Sequence, residues 1–244
     1  MKMMKLSLNS EILNAVPLNE YYQKDIKHKG LIFIQHGYQS NKEYGADYLA
    51  LTLARMGYFV VSIDAYKHGE RIEEPYLSKN EQGMLLEAPA VIRHTSIDII
   101  KLHRIRYKER FPKFDLIGIS MGAMIAYYTA TKTDKIRNLI PVIGTPDFMY
   151  QANHNLTAAG IKVDEYLNED AINYLERISP INKVSRMKYE KLLMLNGTID
   201  EIVPVIPTVR FIEEYDPHNY EFKTYETGHD VHRKMQLDIF NYYK

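Results

Sequence analysis

Five short apolar runs, each closed by turn-forming residues, punctuate the chain: LIFIQ at Leu31–Gln35, YFVVSI at Tyr58–Ile63, FDLIGI at Phe114–Ile119, LIPVIG at Leu139–Gly144 and KLLMLNG at Lys191–Gly197. None alternates strictly between apolar and polar side chains, so each is expected as a strand buried on both faces. Between them lie segments of helical spacing, Gly45–Met56, Ser96–Arg110, Met121–Lys132 and Val205–Tyr215. Strand and helix in alternation predict right-handed βαβ crossovers and a mostly parallel central sheet flanked by helices, an α/β fold. YEFKTYE then supplies a further strand, and VHRKMQLDIFNYYK a closing helix. Two regions break the alternation. Glu73–Thr95 is long and mixed and is expected to run over the C-terminal edge of the sheet. Phe148–Met187 carries helical patterns such as DAINYLERI without a buried strand, which suits a small helical cap insertion. There is no internal repeat and no low-complexity tract.

Composition narrows this picture. No Pro, Gly or Ser-rich linker divides the 244 residues, so one domain spanning 1–244 is expected, with the cap insertion at about 148–187. With 45% hydrophobic and 25% charged residues the chain can bury a substantial core. Lys plus Arg balance Asp plus Glu at 31 each, leaving no net field to draw in nucleic acid or an anionic membrane. The basic run KLHRIRYKERFPK is interleaved with apolar residues at helical spacing and reads as a solvated amphipathic face, so no nucleic-acid partner is expected. The absence of cysteine excludes a disulfide framework, a thiol nucleophile and thiolate metal sites. The opening MKMMKLSLNSEILNAV has no apolar core of signal-peptide length, and no run approaches the ~18–20 apolar residues of a membrane span. A cytoplasmic setting with no membrane partner is the expectation.

Candidate chemistry centres on GISMG, where Gly118, Ser120 and Gly122 sit between an apolar strand and a helical segment. In that context G-x-S-x-G forms a turn too sharp for bulky neighbours, which lifts the serine hydroxyl clear of the sheet. The following helix, opening at Met121, turns its N–H groups toward whatever the serine attacks. A serine hydroxyl needs a base to take its proton and an acid to orient that base. Among nine histidines, His229 lies on a Gly-preceded turn between the last strand and the last helix, at the same sheet edge as Ser120. His232 falls inside the helix pattern, His103 on a helix face and His218 in a turn. The acid candidate is Asp200, in the loop after KLLMLNG, with its neighbour Glu201 as fallback and Asp147 as the other acid at that edge. The chain order Ser, Asp, His is the one this scaffold uses. Two oxyanion donors are expected from backbone N–H groups, one at Met121 and one at Tyr38 in HGYQSNK, with Gly37 allowing a tight turn and His36 bracing the loop. No metal site is expected, because HDVH stands without an HExxH motif or a clustered acid set. GISMGA lacks the Lys and Ser/Thr of a phosphate-binding loop, and no cofactor is expected.

With HGYQSNK, GISMGA, NGTIDEIVP and GHDV in this order, the chain resembles the α/β-hydrolase superfamily. Its DAYKHGER segment, Asp64–Arg71, is similar to the D-A-x-x-H-G-x-R segment of the bacterial serine esterases and prolyl-oligopeptidase-like hydrolases. The resemblance covers about Gly30–Tyr243 and is weakest across Phe148–Met187. It implies Ser120 as nucleophile, Asp200 and His229 as its partners, and the Tyr38 and Met121 amides as oxyanion hole. The chain departs from the lipase-like branch in lacking an HGGG run, and carries Ala123 where many relatives have a second glycine. His68 and Arg71 are expected to brace their loop, with a substrate-facing role for Arg71 as the alternative. The expected function is a serine hydrolase of the carboxylesterase type acting on a small-molecule ester of small to medium acyl groups. The alternatives are an exopeptidase or amidase and, in another class, a non-catalytic hydrolase-like binding protein.

Overall fold

The computed structural model describes residues 5–44, 47–73, 81–162 and 166–244. Eight strands form one sheet: β1 (Leu6–Leu13), β2 (Val16–Gln23), β3 (Leu31–Gln35), β4 (Phe59–Ile63), β5 (Phe114–Ile119), β6 (Ile136–Val142), β7 (Lys191–Gly197) and β8 (Tyr220–Tyr225). Their spatial order is β1-β2-β4-β3-β5-β6-β7-β8, parallel from β4 to β8, with β2 antiparallel to β4 and β1 antiparallel to β2. Seven described α-helices accompany them: α1 (Asp47–Arg55), α2 (Glu81–Leu102), α3 (Met121–Ala130), α4 (Phe148–Ala158), α5 (Glu169–Ile178), α6 (Ile206–Tyr215) and α7 (Arg233–Tyr242). This is the α/β-hydrolase architecture.

The unbroken apolar strands make sense in this setting because both sheet faces are covered. On one face Leu31, Phe33, Val61 and Leu116 pack with Ile99 of α2, Ile125 and Tyr127 of α3 and Phe211 of α6. On the other, Ile32, Ile34, Val60 and Ile117 pack with Leu49 and Leu53 of α1 and Met235 and Ile239 of α7. The residues between β6 and β7 join the first of these clusters through Phe148, Leu156, Leu175, Ile178 and Ile181. The chain leaves β3 for β4 on one side, while β5 lies on its other side. That reversal opens a crevice beyond the C-terminal ends of β3 and β5, where ligands of open α/β sheets collect.

Three features differ from the expectation. The sheet begins with a hairpin, β1–β2, joined by Asn14 and Ala15 with φ of 52° and 62°. That is a two-residue turn in which both residues are left-handed, here made without the usual glycine. Glu73–Thr95 is not a long edge-crossing stretch throughout: residues 74–80 lie outside the described residues, and from Glu81 the chain is helical. Gly83 and Pro89 hide the first part of α2 in the sequence, while its end from Ser96 falls in an expected helix; buried Val91, Ile92, Ile99 and Leu102 hold the whole on the sheet. Finally β6 runs over Ile136–Val142, two residues short of Gly144, because Ile143 turns to φ 46°. The expected helix from Gly45 starts at Asp47, Gly45 itself lying outside the described residues. No described helix is long and apolar enough to cross a membrane.

Candidate active site

β5 ends at Ile119 and α3 begins at Met121, leaving Ser120 as the single residue of the turn, at φ 56° and ψ −115°. Non-glycine residues adopt such angles only where the surroundings enforce them. Here the enforcement is backbone against backbone. A Cβ on Gly118 would fall 2.1 Å from the Gly122 carbonyl oxygen, and one on Gly122 would fall 2.2 Å from that of Gln35. The helix start is thus pressed onto the end of β3, with Gly37 within 3.4 Å of the Ser120 side chain by the same measure.

Three side chains form one hydrogen-bonded line at this edge. Ser120 Oγ lies 2.8 Å from His229 Nε2, and His229 Nδ1 lies 2.8 Å from Asp200 Oδ2. The arrangement fits a neutral imidazole that donates from Nδ1 to the carboxylate and accepts the serine proton at Nε2. Asp200 is buried, and its Oδ1 accepts the N–H groups of Ile202 and Val203, each at 2.9 Å. Gly197 lets the acid loop and the histidine loop meet, since a Cβ there would fall 2.3 Å from the Thr227 carbonyl.

The other candidates sit elsewhere. Asp147 caps α4 by accepting from the Tyr150 N–H at 2.9 Å. Glu201 meets His154 through its carbonyl oxygen at 2.6 Å. His232 accepts from the Lys234 N–H at the start of α7, His103 holds the Phe111 carbonyl, and His218 stacks on Tyr189. As the first residue of α3, Met121 has an N–H without an acceptor one turn back. Tyr38 follows Gly37 in the loop that crosses Ser120, its ring edge-on to His68 at 5.6 Å.

A polar layer lies under that loop. His36, fully buried, donates from Nδ1 to the Gly37 carbonyl at 2.7 Å and accepts the Ala65 N–H at Nε2, 3.0 Å away. Burial pulls its pKa down to about 4, only partly opposed by the Gly37 bond. His68 Nδ1 meets the Tyr66 carbonyl at 3.0 Å, and burial lowers its pKa too. The buried Asp64 carboxylate accepts the Lys42 N–H at 2.8 Å and the Glu70 N–H at 2.9 Å, with Lys42 Nζ 3.5 Å away. Arg71 is directed to Asp98 of α2 at 2.8 Å and to the Asp64 carbonyl at 3.2 Å. Lys42 and Asp98 carry no local signal in the sequence that would single them out. Among the described residues, no three His, Asp or Glu side chains gather as a metal site.

The sequence profile of the prolyl oligopeptidase family matches residues 112–236, which include Ser120, Asp200 and His229. The chain belongs to the prolyl oligopeptidase family. It is 24% identical over 229 residues to the Bacillus subtilis (strain 168) protein named "Putative esterase YitV", covering 88% of this chain and 87% of that one. Its fold is similar to that of TT1662 from Thermus thermophilus, with a TM-score of 0.75 at 21% identity over 98% of both chains. It is also similar to acetyl xylan esterase 1 from Thermoanaerobacterium sp. JW/SL YS485, with a TM-score of 0.74 at 16% identity over 99% of this chain and 87% of that one. The acylaminoacyl peptidase of Pyrococcus horikoshii gives a TM-score of 0.68 at 15% identity, over 95% of this chain but 38% of that one. This member of the prolyl oligopeptidase family is therefore a hydrolase of the esterase and peptidase type.

Proposed function

We propose that this family member is a serine hydrolase that cleaves carboxylic esters of small to medium acyl groups through an acyl-enzyme. The observation that carries the reading is the unbroken line from Asp200 through His229 to Ser120, each link 2.8 Å, ending on a strained turn. Ser120 attacks the ester carbonyl as His229 takes its proton. The imidazolium so formed, held by Asp200, protonates the leaving alcohol, and water then repeats the sequence on the acyl group. The Tyr38 and Met121 N–H groups receive the oxyanion, a service whose loss at one donor typically costs ~3 kcal/mol of transition-state stabilisation. The esterase name of the Bacillus relative and the fold shared with an acetyl xylan esterase favour an ester substrate. The family match and the likeness to a peptidase favour the second reading, an amide or peptide substrate cleaved by the same groups.

A fluorophosphonate probe tests the chemistry, and a substrate panel tests the bond. Stoichiometric labelling of the native chain is expected, with none in Ser120→Ala. Turnover of p-nitrophenyl acetate and butyrate well above that of aminoacyl p-nitroanilides supports the esterase; the opposite ranking replaces it with the peptidase. Full labelling of Ser120→Ala would remove that residue from the mechanism.

A further inference from the structure

Four hydrogen bonds converge on the two peptide groups that flank Ile202. On one side, the N–H groups of Ile202 and Val203 both donate to Asp200 Oδ1 at 2.9 Å. On the other, the Glu201 carbonyl accepts from His154 Nε2 at 2.6 Å and the Ile202 carbonyl accepts from Gln151 Nε2 at 2.7 Å. A peptide group is planar and trans, so its C=O and N–H point in opposite directions. The Glu201 C=O and Ile202 N–H belong to one such group, and the Ile202 C=O and Val203 N–H to the next. Each forms a relay from a side-chain N–H, through a peptide, to the carboxylate.

Both side chains come from α4 and lie three residues apart, on one face of the helix. Gln151 is buried at 6% exposure, and its amide also donates to Asn155 Oδ1 at 2.7 Å, so both N–H bonds are committed. His154 lies parallel to the Tyr150 ring, 6.4 Å between centroids, and must carry a proton on Nε2 to donate to a carbonyl. Fixing the carbonyls stops the peptide groups from rotating and strengthens the N–H donors on their far side. With Oδ1 held, Oδ2 is left aimed at His229 Nδ1, 2.8 Å away.

We propose that Gln151 and His154 are positioning residues that act through these two peptide groups to hold the Asp200 carboxylate on His229. Helix α4 of the 148–187 insertion thereby belongs to the machinery of the reaction. The inference rests on the reading of Asp200 as the group that orients His229.

The test uses the full chain with Gln151→Met, His154→Phe and the double variant, each made both with Asp200 present and in Asp200→Asn, with p-nitrophenyl acetate as substrate. With Asp200 present, each single substitution is expected to lower kcat/KM about tenfold, chiefly in kcat, as small misplacements of reacting groups do. The acidic limb of the kcat/KM profile moves to lower pH, because the imidazolium at 229 loses part of its carboxylate. His154→Gln, which returns an N–H donor, recovers most of the loss. In Asp200→Asn, the Gln151 and His154 substitutions change the rate by less than about twofold, because the carboxylate whose aim on His229 the relay sets is no longer there. A repeated tenfold loss in that background, or an effect confined to KM, overturns the proposal and leaves the role of Asp200 standing. If Asp200→Asn alone turns over near the native rate, the acid assignment fails and the relay falls with it.

Discussion

At Gly122 the space available to a single side-chain carbon decides the outcome. A methyl group there meets the Gln35 carbonyl at 2.2 Å, and neither backbone can retreat without moving Ser120 or the loop above it. Gly122→Ala is therefore expected to lose most hydrolase activity and about 1–3 kcal/mol of stability, the usual cost of overpacking, checked by initial rates and thermal melting. Gly228, beside His229, is the control. A Cβ there meets nothing nearer than the Ile199 carbonyl at 3.8 Å, so Gly228→Ala is expected to stay within about 0.5 kcal/mol of the native stability, as ordinary surface substitutions do. The sequence makes Ser120, Asp200 and His229 legible because chain order and strand ends suffice to bring them to one edge. Gln151 and His154 are not legible, because what matters is which carbonyls they reach, some fifty residues away in the chain.

At the level of elements, β5 and β6 are tied at their N-terminal ends, away from the site. Asp115, fully buried, accepts Arg137 Nε at 2.8 Å, Arg137 Nη2 at 2.7 Å and the Asn138 N–H at 3.2 Å. The two partners are unequal, since the Arg137 side chain is 36% exposed and Asp115 is not exposed at all. Arg137→Ala leaves a carboxylate stranded in the sheet, for which about 3–5 kcal/mol is expected; Asp115→Ala leaves a guanidinium that water can reach, and is expected to cost less. Urea unfolding midpoints measure the difference, and equal losses would contradict it. The parallel strands β3 to β7 were readable because burial on both faces writes itself as continuous apolar runs, whereas the edge strand β8 has no buried residue. The first hairpin escapes that pattern: β1 alternates apolar with polar residues, β2 contains Pro17, and the turn lacks the glycine that usually marks it. The part of helix α2 before Ser96 escapes because Gly83 and Pro89 count against a helix locally, while its packing, which decides the matter, is not local.

Across the whole molecule, buried neutral histidines tie stability to pH. His36, His68 and His103 all have pKa values lowered chiefly by burial, His36 to about 4 from 6.5. Below pH 6.5 the unfolded chain takes up protons that the folded chain refuses, so the sign is a loss of stability on acidification. For His36 that stability is complete above pH 6.5 and drains away between pH 6.5 and about 4. Each such histidine removes up to about 1.4 kcal/mol per pH unit across its window. Urea midpoints at pH 7.5 and 5 are expected to fall accordingly, and His36→Gln to flatten the slope; a midpoint unchanged by acid would contradict this account.

The hairpin at the sheet's first edge has a consequence for amide exchange. Because Leu13 and Val16 flank a two-residue turn, odd-numbered residues of β1 direct their amides toward β2, and the Lys24 to Lys5 bond at 3.3 Å continues the same parity. Leu6, Leu8, Ser10 and Ile12 direct theirs the other way, where no described strand pairs with them. Deuterium is thus expected to enter this strand as a comb, fast at every second residue and slow between, so that eight consecutive amides report the hairpin's register in solution without any substitution.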